Sequence, residues 1–328
     1  MPTGFCAIKC LLNRKTRTKN LRPEANSGQI NETEDTPLFT DIPPYILAMT
    51  AAFMFATGGQ FQNIGLKTLD SRTATMIAIG TSGFVFWLMA PWWLDVSHFS
   101  HPAVLIFAAI GLIRPAISAN LSVAAIKHLG PTLTMTLAAT SPLFGATFGI
   151  LILNEMLTAQ IAIGTVGIVM AVIILTRRKR GVPATWPAWA LMLPIGAALI
   201  RATAHLFIKI GLEYIPDPYF VGLVGSTVAF IATGTLWRVN PNRTEISFKN
   251  PGVLWFLAAG TTFAGAIISL NTALFKGDIV TVVPLIATSP IFSMLMSVFI
   301  FRREKITWQI VVAILIVMPS MVLVALSR

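Results

Sequence analysis

Charge is scarce in this sequence. Only 11% of its 328 residues are Asp, Glu, Lys or Arg, where an ordinary soluble domain carries about 25%. That is too little to cover a water-facing surface, so a soluble globule is excluded. Cysteine is scarcer: Cys6 and Cys10 are the only two. Both lie in the amino-terminal tail, where they can build neither a disulfide framework nor a soft-metal site. Spaced i, i+4, they are either a pair open to lipidation or two ordinary tail cysteines. There are four histidines, and acids are outnumbered 13 to 24 by bases. No paired acids, no serine with a base and no His/Asp cluster fall inside the apolar stretches, which argues against an intramembrane enzyme. No nucleotide-binding phosphate loop is present. No cofactor or metal is expected, and energy for moving a solute would come from an ion or substrate gradient.

Apolar residues are abundant. They make up 55% of the chain, with a mean hydropathy of +0.75, and fall in blocks of about 20, long enough to cross a ~30 Å hydrocarbon core as helix. Ten spans are expected, near Pro44–Leu66, Thr73–Leu94, Ala103–Ile126, Pro131–Leu153, Ala159–Thr176, Ala188–Ile210, Tyr219–Trp237, Gly252–Phe275, Ile279–Phe301 and Thr307–Leu326. Residues 1–43 form a polar tail, basic then acidic, for which disorder is expected. Trp92, Trp93, Trp186, Trp189 and Trp308 sit near span ends, where an indole prefers the interface. The net charge of +11 does not indicate nucleic acid. Its bases cluster at the ends of apolar blocks, as in Arg177–Arg180 and Arg302-Arg303, which suits lipid headgroups.

The sequence repeats itself. Ala139-Thr140-Ser141-Pro142-Leu143-Phe144 in the fourth span returns as Ala287-Thr288-Ser289-Pro290-Ile291-Phe292 in the ninth. Glu155 and Glu304 follow these at almost the same distance. Ile64-Gly65-Leu66 ends the first span and Ile210-Gly211-Leu212 the sixth. The three pairs share nearly one offset, which argues for a duplicated five-span unit: residues 44–180, then 181–328. An odd number of spans per unit gives the copies opposite orientations, the inverted repeat of many secondary transporters. The expected fold is thus all-α and integral to the membrane, its two halves related by an axis in the membrane plane, with Pro142 falling on Pro290.

At these residues the chain resembles the EamA-type transporters of the drug/metabolite transporter superfamily. The resemblance rests on the Ser-Pro-Leu-Phe and Ser-Pro-Ile-Phe segments, on Leu153-Asn154-Glu155 followed by Leu157-Thr158, and on the looser Arg303-Glu304-Lys305-Ile306-Thr307. It implies ten helices, a central cavity between the repeats, and movement of small metabolites or drugs. It names no substrate.

Arg114 and Arg201 fall near the middle of the third and sixth spans. A central arginine costs roughly 2.5–3.5 kcal/mol on insertion scales, so each should face the interior and meet an anion. No acid in the spans can pair with them; Glu155, Glu213, Asp278 and Glu304 all sit at span ends. They either recognise an anionic or zwitterionic substrate, or bond to carbonyls freed at kinks such as Pro115. His205 and Lys209 continue the stripe from Arg201 at i+4 and i+8. His205 is a candidate proton relay or a structural histidine, and Lys209 is read as snorkelling. Gln60, Asn63, Asn120 and Asn271 either line the cavity or join helices by amide hydrogen bonds. Pro142 and Pro290, with Ser141 and Ser289 beside them, are either gating kinks or static packing kinks. Glu155 and Glu304 are read as starting the next helix or bonding across loops.

The partners expected are a small-molecule substrate and membrane lipid, in a multi-pass protein of the inner or plasma membrane; the oligomeric state is left open. A non-transporting receptor or scaffold on the same fold is the rival reading. Two rules disagree on orientation. The resemblance implies cytoplasmic termini, whereas the loops on the far side from the termini hold most of the basic residues, which favours termini outside.

Overall fold

The structure is a computed structural model that describes residues 42–176, 188–239, 246, 250–301 and 308–327. Several side chains in the third helix, Pro115 and Asn120 among them, also lie outside that description. So do the tail, Arg177–Arg180, Arg302-Arg303 and Glu304, and with them the expectations placed there. Every regular element among the described residues is helical.

The helices are α1 (Pro44–Gly65), α2 (Ser71–Trp93), α3 (Val104–Ala138), α4 (Ser141–Leu153), α5 (Ala159–Thr176), α6 (Met192–Tyr214), α7 (Pro218–Val239), α8 (Pro251–Lys276), α9 (Ile279–Ile286), α10 (Ser289–Phe299) and α11 (Trp308–Leu326). Among the described residues, six segments are long and apolar enough to cross a membrane: Ser71–Trp93, Trp189–Tyr214, Pro218–Val239, Pro251–Lys276, Ile279–Phe299 and Trp308–Leu326. Val104–Arg114, Ser141–Leu153 and Ala159–Ile174 are shorter apolar helices.

The helix ends follow local chemistry. Asp70 caps α2, its carboxylate accepting from the amides of Arg72 at 3.1 Å and Thr73 at 3.0 Å. Asn250 caps α8 through Gly252 N–H at 2.9 Å and donates to Thr68 O at 3.0 Å, which ties α8 to the α1–α2 turn. Both satisfy amides that an apolar environment would leave stranded. One expected turn is not a break: helical backbone runs through Gly130-Pro131 to Ala138. An internal proline loses its own N–H bond and crowds the carbonyl four residues back, which strains a helix without ending it here. The interruption falls instead at Ala139-Thr140.

That interruption occurs twice. Thr140 and Thr288 take nearly the same backbone conformation, φ −75°, ψ −7° and φ −77°, ψ −7°. The Thr140 hydroxyl donates to Leu137 O at 2.7 Å, and the Thr288 hydroxyl to Leu285 O at 2.6 Å. Pro142 and Pro290 enter the first turn of the next helix, where their missing N–H costs least.

The packing repeats as well. Exchanging α1 with α6, α2 with α7, α3 with α8, α4 with α9–α10 and α5 with α11 maps the main helix contacts onto one another. α1 packs on α8 as α3 does on α6, α2 on α8 as α3 on α7, and α4 on α6 as α9 and α10 on α1. Three contacts, α2 with α7, α4 with α9 and α5 with α11, join an element to its own counterpart. The match reaches single residues. Phe107 lies against Gly211 and Phe256 against Gly65; Gly111 meets the backbone of Gly225, and Gly260 that of Ala78. At those four glycines the neighbouring ring or backbone stands where a Cβ would be.

Candidate transport cavity

A cavity of about 550 Å³ lies between α1, α2, α3, α6, α7 and α8, within the range of small-molecule sites. These are the first three spans of each repeat. Among the described residues, α4, α5, α9, α10 and α11 contribute none of its lining. At one end the lining is buried: Phe107, Ile208, Val221 and Asn271 are each at most 5% exposed. Toward the other end, where the α1–α2 turn lies, Gln62 and Thr75 are half-exposed. The cavity is therefore floored at the Asp217 end and opens toward the end carrying the exposed Lys67 and Arg72.

Arg114 and Arg201 both line it, one from α3 and one from α6, and their charges act on each other. Among the described residues neither guanidinium has a hydrogen-bond or ion-pair partner, and no acid lines the cavity. Two like charges in a largely apolar enclosure are costly without a counter-ion. Asn271 also lines it: its Nδ2 donates to Pro218 O at 3.1 Å, and its Oδ1 is buried without a partner.

The remaining expected residues lie elsewhere. Gln60 is buried between α1 and α10, where Nε2 donates to Ser293 O at 2.8 Å and Ser293 Oγ at 2.9 Å; it joins helices, and Gln62 faces the cavity in its place. Asn63 is exposed. His205 is buried behind the lining, with neither ring nitrogen hydrogen-bonded. Asn120 falls outside the described side chains. Pro142, Pro290, Ser141 and Ser289 do not line the cavity; their helices pack behind α6 and α1. Ser141 Oγ donates to Ala198 O at 3.4 Å, a long bond to α6. The lining residues that sequence reasoning passed over are mostly apolar or small, above all Phe55 and Phe263, and carry no signal of their own in an apolar span.

The floored end is stitched by polar groups from both repeats. Glu155, after α4, turns its buried carboxylate onto the start of α9, accepting from Ile279 N–H and Val280 N–H at 2.9 Å each. This is an N-cap supplied by another segment, favoured by the helix dipole. Lys209 does not snorkel. It donates to Gly277 O and stands 3.7 Å from both Glu155 and Asp278. Nearby, Asp217 accepts from Tyr219 N–H at 2.9 Å and Phe220 N–H at 3.1 Å, with His98 Nδ1 at 3.4 Å. Burial pushes the Asp217 carboxyl up from its ordinary value, and these donors pull it part of the way back.

Among the described residues, apolar helices in two matching sets, around a cavity built from the same spans of each set, define a two-repeat helical membrane protein. The family model of the EamA-like transporter family matches residues 42–177 and again 188–326, and the chain belongs to that family. A solved crystal structure shares the fold at a TM-score of 0.74 and 14% identity, over 85% of this chain and 95% of the other. No curated protein matches the sequence.

Proposed function

We propose that the protein is a secondary-active carrier of small anionic or zwitterionic metabolites. It works by alternating access, with ten membrane helices arranged as inverted repeats of residues 44–180 and 181–328. The observation that carries this is the pair of guanidiniums, unpartnered among the described residues, in one cavity open at a single end. A site with two cations and no acid is built for an anion, and arginine can grip a carboxylate or phosphate with two parallel hydrogen bonds. The exposed bases at the open end favour the approach of an anion. The kinked helices behind α6 and α1 serve as supports against which those two spans move. Rocking of one repeat against the other would carry the site from one side to the other.

The test is flux of radiolabelled organic anions into proteoliposomes. Arg201→Ala should nearly abolish it with the protein still eluting as a folded species. Arg201→Lys should weaken it about tenfold or more, because lysine keeps the charge and loses the fork geometry. Normal flux in both variants, or flux of lipophilic cations alone, would overturn the reading.

A further inference from the structure

The two arginines break the symmetry of the fold at matching places. The register that lays Ile64-Gly65-Leu66 on Ile210-Gly211-Leu212 lays Phe55 on Arg201. The register that lays the Phe107–Gly211 contact on Phe256–Gly65, and Gly111 on Gly260, lays Arg114 on Phe263. All four residues line the cavity. Phe55 and Phe263 contact one another, ring centroids 6.1 Å apart and planes inclined at 39°. Where α3 and α6 present a pair of cations, α1 and α8 present, at the equivalent depth, a pair of aromatic rings.

The remaining lining narrows the chemistry. Thr75 Oγ1 donates to Ser71 O at 2.8 Å and Ser82 Oγ to Gly260 O at 2.6 Å. With Asn271 Nδ2 held by Pro218 O, these three donors are already engaged; the other neutral polar side chains among the described lining residues are Gln62, Ser118 and Ser226. Among the described residues, no acid lines the cavity to hold an ammonium group.

From this we infer that the site takes an amphipathic organic anion: an aromatic or alicyclic carboxylate without an ammonium group. Its carboxylate meets Arg114 and Arg201, and its ring packs on Phe55 and Phe263. The inference rests on the anion-carrier reading and narrows it. Ring packing on an aromatic pair adds affinity that a small hydrophilic dianion cannot gain, about threefold to tenfold per contact.

The experiment is binding to the purified full-length protein in detergent, read by calorimetry, with phenylpyruvate, succinate, phenylalanine and glucose 6-phosphate as probes. Phenylpyruvate should bind at least tenfold more tightly than the other three. Phe55→Leu and Phe263→Leu, which keep apolar volume and hence the fold, should lower phenylpyruvate affinity severalfold and leave succinate unchanged. Arg201→Ala should remove binding of both acids. Equal affinity for phenylpyruvate and succinate, or preference for phenylalanine or the sugar phosphate, overturns this inference while leaving a carrier of anions or zwitterions standing. Binding unaffected by Arg201→Ala removes the anion site itself, and this inference with it.

Discussion

Asp217 shows at the scale of one residue how burial and hydrogen bonding contend. Its carboxylate caps α7, yet burial is the largest influence on it and pushes its titration above the usual 3.8. The sign of the consequence follows. Below the unfolded value both states are neutral and the group contributes nothing. As pH rises through that value and then the folded one, the folded state comes to hold a poorly solvated anion, and stability falls. Asp217→Asn keeps an oxygen for the two amides and removes the charge. The variant's unfolding temperature, followed by tryptophan fluorescence, should exceed that of the parent at pH 7, with the gap closing below about pH 4. A gap that does not change with pH would assign the effect to something other than charge. Single residues also mark where sequence reading stops. Arg114 and Arg201 were legible because a central cation must have a purpose. The sequence reading singles out Gln60 and Asn63 on α1, whereas Gln62 lines the cavity: two residues apart on a helix, Gln60 and Gln62 face different ways, and which one meets the cavity depends on the rotation of α1, set by α8, α9 and α10.

Among the elements, the repeated Ala-Thr-Ser-Pro segment announced a paired irregularity, but not its form. The sequence directs attention to proline. The structure places the break one or two residues earlier, at a threonine whose hydroxyl takes up a carbonyl of the preceding turn. Glu155 is read from the sequence as starting the next helix or bonding across loops; it does bond to distant backbone, but its partner could not be named because α9 arrives beside it from the other half of the chain. That meeting sets a close constraint on α4. A Cβ on Gly149 would lie 2.5 Å from Glu155 Oε2 and 2.8 Å from Val280 Cγ1. Gly149→Ala should therefore force α4 away from α9 and destabilise the protein by about 1–3 kcal/mol, despite alanine's better helix propensity. Thermal unfolding in detergent measures this. A variant as stable as the parent would mean that α4 and α9 slide apart without cost.

The whole molecule reads as a duplicated frame with an unduplicated lining. The frame was visible in sequence because the Ala-Thr-Ser-Pro segments, the glutamates after them and the Ile-Gly-Leu triplets recur nearly in register. The lining was not, since it depends on which helix faces turn inward. Orientation belongs to this scale too. The described bases Lys67 and Arg72 lie at the end toward which the cavity opens; the charge rule would make that end cytoplasmic and put both termini outside. A single cysteine placed in the Arg177–Arg180 loop of a variant lacking Cys6 and Cys10 should resist an impermeant maleimide in intact cells and react after lysis. Labelling in intact cells would put that loop outside and restore the orientation that the family resemblance implies.

The carboxylate of Glu155, which holds two amides of α9, has a kinetic meaning. In a carrier that must part its halves at that end, the start of α9 cannot leave Glu155 gradually. Both amides lose the same acceptor in one event, and Lys209 loses a neighbour with them. Such a clasp divides the motion into two wells with a ridge between, so turnover would be paced by a steeply temperature-dependent release rather than by diffusion of solute through the pore.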